Sequence, residues 1–213
     1  MVKTIIGSFD SMDDAHRASR ALRSAGFLDS DINFIANDVR KDGSTVRTGE
    51  KTDMSGVATG AVAGGALGGA AGLAASLMGL AIPGIGPILA AGPIAAALVG
   101  AGAGAAAGGL IGSLTDQGVE PKHAEIYAES VRRGGTLVTV RTDESRSDEA
   151  TSILRDAGAI DIDKRVDEWR ASGWTGFDPK AQPYSYDEIE RDRSRYATRA
   201  NMAGTTDAAG LRR

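Results

Sequence analysis

The segment from Met54 to Thr115 contains no charged residue, and within it glycine recurs at every fourth position. Of its 62 residues, 36 are Gly or Ala. Because a spacing of four places residues on one face of a helix, the glycines would leave a bare face that a second helix can approach closely. This pattern is typical of helix pairs in membranes. The glycines form two series, Gly56, Gly60, Gly64, Gly68 and Gly72, and then Gly100, Gly104, Gly108 and Gly112.

A strong turn signal separates the two series, and it contains Pro83, Gly84, Gly86 and Pro87. We therefore predict a glycine-zipper helical hairpin with arms over Met54–Ala81 and Ile88–Leu114. Each arm has about 27 residues, so at 1.5 Å per residue it is about 40 Å long and can cross a hydrocarbon core of about 30 Å.

A bilayer suits this composition because glycine costs a water-exposed helix about 1 kcal/mol per site. In lipid no water is available to the backbone, and a helix hydrogen-bonds its own N–H and C=O groups. Large apolar residues are sparse, however, and neither Trp nor Tyr marks the ends. A hairpin buried in a soluble homo-oligomer and a Gly/Ala linker therefore stay open as alternatives. We expect membrane lipids and further copies of the chain as partners. Basic residues on both sides favour the cytoplasmic membrane with cytosolic flanks, and the alternative location is the cytoplasm.

The charged flanks predict two strand–helix–strand units that contain a matching segment, Leu22–Gly26 and Leu154–Gly158. Neither unit could bury its apolar face alone, so we predict an α+β, split ferredoxin-like domain. Four strands carry helices on one face, and the helical hairpin is an insertion. The predicted elements are strands at Thr4–Phe9, Asp31–Ala36, Thr136–Val140 and Ile160–Val166, and helices from Ser11 to Ala25, Pro121 to Arg133 and Ser145 to Ala157.

These elements divide the chain into five parts. The two halves of the domain are 1–37 and 116–168, the polar linker is 38–53, the helical hairpin is 54–115, and the tail is 169–213. The tail holds most of the aromatic residues, and its last residues, from 203 onward, are expected to be disordered. It could dock on its own domain or bind a protein partner through Trp169, Trp174, Tyr184 and Tyr186.

The chain resembles the general stress proteins with a YflT-like, heat-induced stress protein domain, over roughly residues 1–166. The resemblance implies induction by stress and no catalytic residues. The residues that carry it are Gly7, Ser8, Phe9, Ala15, Leu22, Ala25, Gly26, Phe27 and Ile32, the glycine-rich insertion, and Ala128 through Val140.

Nothing in the chain points to catalysis, and we expect no enzymatic activity, no cofactor and no metal site. The chain has no cysteine, which excludes disulfides and thiolate chemistry. Its formal net charge of −4 gives no indication of nucleic-acid binding. His16 and His123 fall on separate predicted helices, which is too little for a metal site. The run at 100–105 imitates a dinucleotide-binding turn but lacks a strand before it.

We therefore expect a non-enzymatic general stress-response protein that is anchored to the cytoplasmic membrane, or acts on it, through the hairpin. One alternative is a soluble self-assembling protein whose hairpins form a shared apolar core. The other is a ligand-binding regulatory domain that uses an exposed face of the sheet.

Overall fold

A computed structural model describes residues 2–39, 78–82, 85–92 and 108–196, and its strands form a five-stranded antiparallel sheet in the order β1-β5-β2-β4-β3. The strands are β1 (Val2–Phe9), β2 (Ile32–Asn37), β3 (Met78–Ile82), β4 (Gly86–Ala91) and β5 (Thr136–Asp143). The helices are α1 (Met12–Ser24), α2 (Gly108–Asp116), α3 (Pro121–Arg132), α4 (Ser147–Asp156), α5 (Ile162–Ala171) and α6 (186–196). The predicted α+β class is confirmed.

The first strand–helix–strand unit forms as the sequence predicts. The Ser11 side chain accepts hydrogen bonds from the backbone N–H groups of Asp13 and Asp14, which caps the start of α1. Gly26 ends the helix with a φ of 85°, and the N–H of Phe27 bonds to the carbonyl of Leu22. The chain then enters β2.

Strand β5 brings the second flank into the same sheet as the first. It pairs antiparallel with β1 on one side and with β2 on the other, so β1 and β2 run parallel with β5 between them. Ile5 and Ile32 both lie opposite Val140, which fixes the register of the three strands.

The predicted strand over Ile160–Val166 is wrong, because helix α5 begins at Ile162. The side chain of Asp161 accepts a hydrogen bond from the N–H of Lys164 and caps this helix. Val166 and Trp169 are buried, and they follow Ile162 at spacings of four and three, which is a helical period. A single hydrogen bond, from the Ile160 N–H to the Ser8 carbonyl at 2.8 Å, joins this segment to the edge of β1.

The predicted helical arms are wrong at residues 78–81 and 88–91, which form β3 and β4. In β4, Ile88 and Ala90 pack on one face of the sheet, and Leu89 and Ala91 pack on the other. A strand buried on both faces is a short continuous apolar run, which periodicity alone does not distinguish from a buried helix. At the end of the second arm, 108–114 is helical, as the sequence predicts.

Two apolar cores lie on opposite faces of the sheet, so the prediction of helices on one face only is wrong. Helices α1 and α4 cover the face that carries Phe34 and Val138. Helices α2 and α3 cover the face that carries Ile35 and Leu137. The exposed sheet face that a ligand-binding domain would use is therefore absent from the central part of the described sheet.

The tail begins later than the sequence predicts, because the boundary at 168/169 falls inside α5. After α5, residues 172–185 lead into α6 without a further helix or strand. Within the ranges described above, no helix combines the length and the hydropathy that a bilayer crossing requires.

Candidate functional site

The predicted glycine and turn residues fall into three groups. Gly108 and Gly112 lie in α2, and Gly86 and Pro87 are the first two residues of β4. The remaining predicted positions lie outside the described residues, namely Gly56, Gly60, Gly64, Gly68, Gly72, Gly100, Gly104, Pro83 and Gly84.

Helix α2 keeps its glycine face away from the core. Its buried residues Leu110 and Leu114 pack on the sheet together with α3. Gly112 is two positions from each of them, which places it on the far side of the helix. An added Cβ at Gly112 would meet no described atom within 4 Å. The glycine face of α2 is therefore open in the described part of the chain.

The two uncharged segments beside the β3–β4 pair, 54–77 and 93–107, join it at the same end. Met78, the first residue of β3, lies opposite Ala90 near the end of β4. Gly92 follows with a φ of 92°, and an added Cβ there would lie 2.6 Å from the carbonyl oxygen of Ile32. Glycine is thus required where the chain leaves β4.

A buried charge cluster forms the second feature, at the C-terminal end of α3. Glu129 has no exposed surface, and its carboxylate accepts hydrogen bonds from Arg132, at 2.8 Å, and from Arg133. Arg133 also donates to Asp192 of α6 at 3.1 Å. One arginine therefore links a fully buried carboxylate on α3 to a carboxylate on α6.

Aromatic rings of α5 and of the tail lie against these arginines. The Arg133 guanidinium lies 5.0 Å from the ring centroids of both Trp169 and Tyr184. The Arg132 guanidinium lies 5.1 Å from the Tyr184 ring. Burial raises the pKa of Tyr184 above its ordinary value. The described tail, as far as residue 196, is therefore docked on its own domain through cation–π contacts as well as ion pairs.

Arg165 of α5 holds the other end of the tail. Its guanidinium donates two hydrogen bonds of 2.7 Å to the carboxylate of Asp10 and lies 3.6 Å from the centroid of the Tyr196 ring. The indole N–H of Trp169 donates to the hydroxyl of Tyr196 at 2.9 Å. The two parallel hydrogen bonds to Asp10 require the planar guanidinium of arginine, which lysine lacks.

Ile189 of α6 is seated directly on the turn that follows α3. It is 2% exposed, and an added Cβ at Gly134 would lie 2.3 Å from its Cγ2 atom. Arg193 donates to the carbonyl of Gly134 at 3.0 Å. The absence of a side chain at Gly134 is what lets α6 approach this closely.

A polar cavity of about 10 Å³ lies among Arg133, Arg165 and Arg193. That volume holds about one water molecule. Each of the three arginines is paired with a carboxylate, the third with Glu190 at 2.9 Å. These carboxylates offset the charge of the arginines around the cavity.

The two histidines lie apart. His16 stacks on Phe34 with ring centroids 4.7 Å apart, and burial together with the nearby Arg20 lowers its pKa below the ordinary value. Nδ1 of His123, in the first turn of α3, lies 3.2 Å from a carboxylate oxygen of Glu120, the residue that precedes the helix. In the described ranges, no group of His, Cys, Asp or Glu side chains could hold a metal ion.

The three comparisons with known proteins give no match. No protein-family model matches it, and neither a curated protein nor a solved structure is significantly similar to it. The resemblance to general stress proteins and the binding of a protein partner by the tail accordingly stay predictions.

Proposed function

We propose that this chain is a non-enzymatic general stress-response protein that acts at the cytoplasmic membrane through its uncharged Gly/Ala-rich region. The folded flanks stay on the cytosolic side. The observation that carries the proposal is that the uncharged segments 54–77 and 93–107 join the domain at one end of the β3–β4 pair. Two segments anchored side by side can enter one membrane together while the sheet stays outside.

The open glycine face of α2 supports the same proposal. Gly108 and Gly112 continue the second glycine series into a described helix, where an added Cβ at Gly112 meets no described atom. Close helix contact across small residues is a main source of association in lipid. The series therefore offers a surface to lipid-embedded helices or to other copies of the chain.

The proposal includes a split ferredoxin-like core interrupted by the uncharged region. The placement of β5 between the parallel strands β1 and β2 supports it, as does the packing of α1 and α4 on one face. The core departs from the complete pattern after α4, where α5 replaces the last strand. On this proposal, β3 and β4 extend the sheet beside β2.

Vesicle flotation tests the membrane proposal. The full chain is mixed with vesicles of phosphatidylcholine alone, or with added phosphatidylglycerol, and we expect it to float with both. Leu67→Asp with Leu73→Asp should abolish flotation, because each aspartate costs about 2.5–3.5 kcal/mol on insertion. A control with Thr175→Asp and Gln182→Asp, at exposed positions between α5 and α6, should still float. A full chain that stays at the bottom of the gradient contradicts membrane action.

A second candidate function is a soluble assembly in which the uncharged regions of several copies form one apolar core. Strand β3, the last strand of the sheet that the structure describes, favours it, because Met78–Ile82 carries none of the charged residues that usually protect a sheet edge. A discrete oligomer without detergent, dissociated by the same two aspartates, supports this candidate. A monomer that neither floats nor associates contradicts both.

A further inference from the structure

Helix α6 docks on the domain at a compact site. Ile189 packs on Gly134, Asp192 pairs with Arg133, and Tyr196 bonds to Trp169. These contacts join α6 to the end of α3 and to α5. A second α6 of the same sequence would make identical contacts if it reached this site.

The connection between α5 and α6 permits that exchange. Residues 172–185 form 14 positions, and most of their side chains are exposed. Within this connection, Trp174 and Phe177 pack on the domain and Tyr184 lies against Arg133. The stretch 178–183 between them is exposed at all but one position, and fully extended its six residues span about 20 Å. This stretch is the part of the connection that opens in an exchange.

The docking site is costly to leave empty. Removal of α6 would take Asp192 from Arg133 and expose Trp169, which is only 2% exposed when α6 is docked. The site would then present a cation beside an apolar surface. The ligand that fits it is an amphipathic helix with a carboxylate and a branched apolar side chain one turn apart, which is the arrangement of Ile189 and Asp192.

We propose that α6 exchanges between two copies of this chain, so that each copy fills the other's docking site. The exchange depends on the proposed function in one respect only, namely that a membrane or an assembly concentrates the copies. Closed monomer and exchanged dimer share the same contacts, so their balance depends on local concentration. A short flexible connection supplies an effective concentration in the millimolar range. Copies that are dilute stay closed, and copies crowded on a membrane or in an assembly exchange.

Complementary charge reversals test the exchange in the full chain. Arg133→Glu places a new carboxylate beside those of Glu129 and Asp192 within one copy, and Asp192→Arg places two guanidinium groups at the contact. Each variant alone should release α6 and shift the tryptophan emission, to which Trp169 and the adjacent Trp174 both contribute, to longer wavelength. An equimolar mixture offers two opposite-charge contacts only across copies. It should therefore regain the wild-type emission and form a one-to-one pair, whereas the double variant should close on itself.

A mixture that keeps the shifted emission, while the double variant regains the wild-type spectrum, overturns the exchange. If the charge reversals prevent folding, a second change keeps the proposal testable. Replacing the exposed residues 178–183 with 15 residues of Glu-Ala-Ala-Ala-Lys repeats keeps Trp174, Phe177 and Tyr184 and inserts a semi-rigid helix of about 22 Å that prevents α6 from folding back. We expect that variant to be a dimer with buried Trp169, and a monomer overturns the proposal.

Both tests read the environment of Trp169 as well as molecular mass. Association through the uncharged segments would be present in each single variant and would not change on mixing. A failure of membrane binding therefore leaves the exchange test readable. A failure of exchange likewise leaves the membrane proposal standing.

Discussion

The contact between Gly134 and Ile189 allows a matched test of how α6 is docked. Gly134 and Gly118 both follow a helix with nearly equal φ, 91° and 88°. The N–H of each bonds to the carbonyl three residues before it, at 3.0 and 2.9 Å. They differ in surroundings, because an added Cβ meets Ile189 at Gly134 and nothing within 4 Å at Gly118. Replacement by alanine therefore imposes the same backbone strain at both and a steric clash at only one.

The expected magnitudes follow from these two terms. A non-glycine residue in the left-handed region costs about 1–2 kcal/mol, and Gly118→Ala should destabilise the fold by that amount. Gly134→Ala adds the cost of overpacking against Ile189, typically about 1–3 kcal/mol. Release of α6 sets an upper limit on this second term, because the helix can undock instead of straining the core.

Urea unfolding measures both variants, and a double-mutant cycle with Ile189→Ala isolates the contact. In the Ile189→Ala background the excess cost of Gly134→Ala over Gly118→Ala should fall below about 0.5 kcal/mol. Equal destabilisation by Gly134→Ala and Gly118→Ala in the wild-type background would refute the close approach of α6.

Three further predictions concern single side chains. Arg165→Lys should destabilise the domain by about 1–2 kcal/mol in thermal unfolding because lysine cannot reproduce the bidentate contact with Asp10, whereas the exposed Arg170→Lys should change stability by less than about 0.5 kcal/mol. Ser11→Ala should cost about 1 kcal/mol through loss of the α1 cap, and an unchanged urea midpoint would contradict that capping role. Because the pKa of His16 is lowered in the folded state, the unfolded chain takes up the proton first as the pH falls through about 6.5, so stability should decline from pH 7.5 to 5.5. His16→Gln should lessen that decline, and a decline as steep as that of the unaltered chain would contradict the effect of burial on His16.

The sequence predicts the elements whose ends carry local signals. Ser11 and Gly26 mark the ends of α1, and Pro121 marks the start of α3, where the structure places it. The strand predicted after α4 failed because two weak signals compete there. Ile160 and Ile162 alternate as in a strand, but the Asp161 cap and the helical spacing to Val166 and Trp169 prevail.

The β3–β4 pair was missed because the glycine spacing dominated the interpretation of the whole uncharged region. Strands β3 and β4 pair on either side of the predicted turn, and two of its four residues, Gly86 and Pro87, belong to β4 instead of a turn. An apolar run forms a strand when a neighbouring strand is available to pair with it. Strand β4 pairs with β2, and Phe34 lies opposite Ala91. Residues 86–91 are therefore part of the sheet, and deletion of all of 54–115 would remove β4 and α2 from the core around Ile35 and Leu137, where only α3 would remain of the helices that cover it.

The sequence alone indicates only part of the charge cluster. Glu129, Arg132 and Arg133 are spaced by three and four, which predicts ion pairs along one helix. The pairing of Arg133 with Asp192, 59 positions later, depends on the tertiary path of the tail. The aromatic residues after 168 indicated docking but not the surface on which they dock.

Fractionation of cells that express the chain natively is the most direct test of membrane action. We predict that the protein sediments with the membranes, remains there through high-salt and carbonate washes, and is released by detergent. Protease added to intact spheroplasts should leave both flanks uncut, because they lie on the cytosolic side. Recovery of all the protein in the supernatant before any wash would contradict the account.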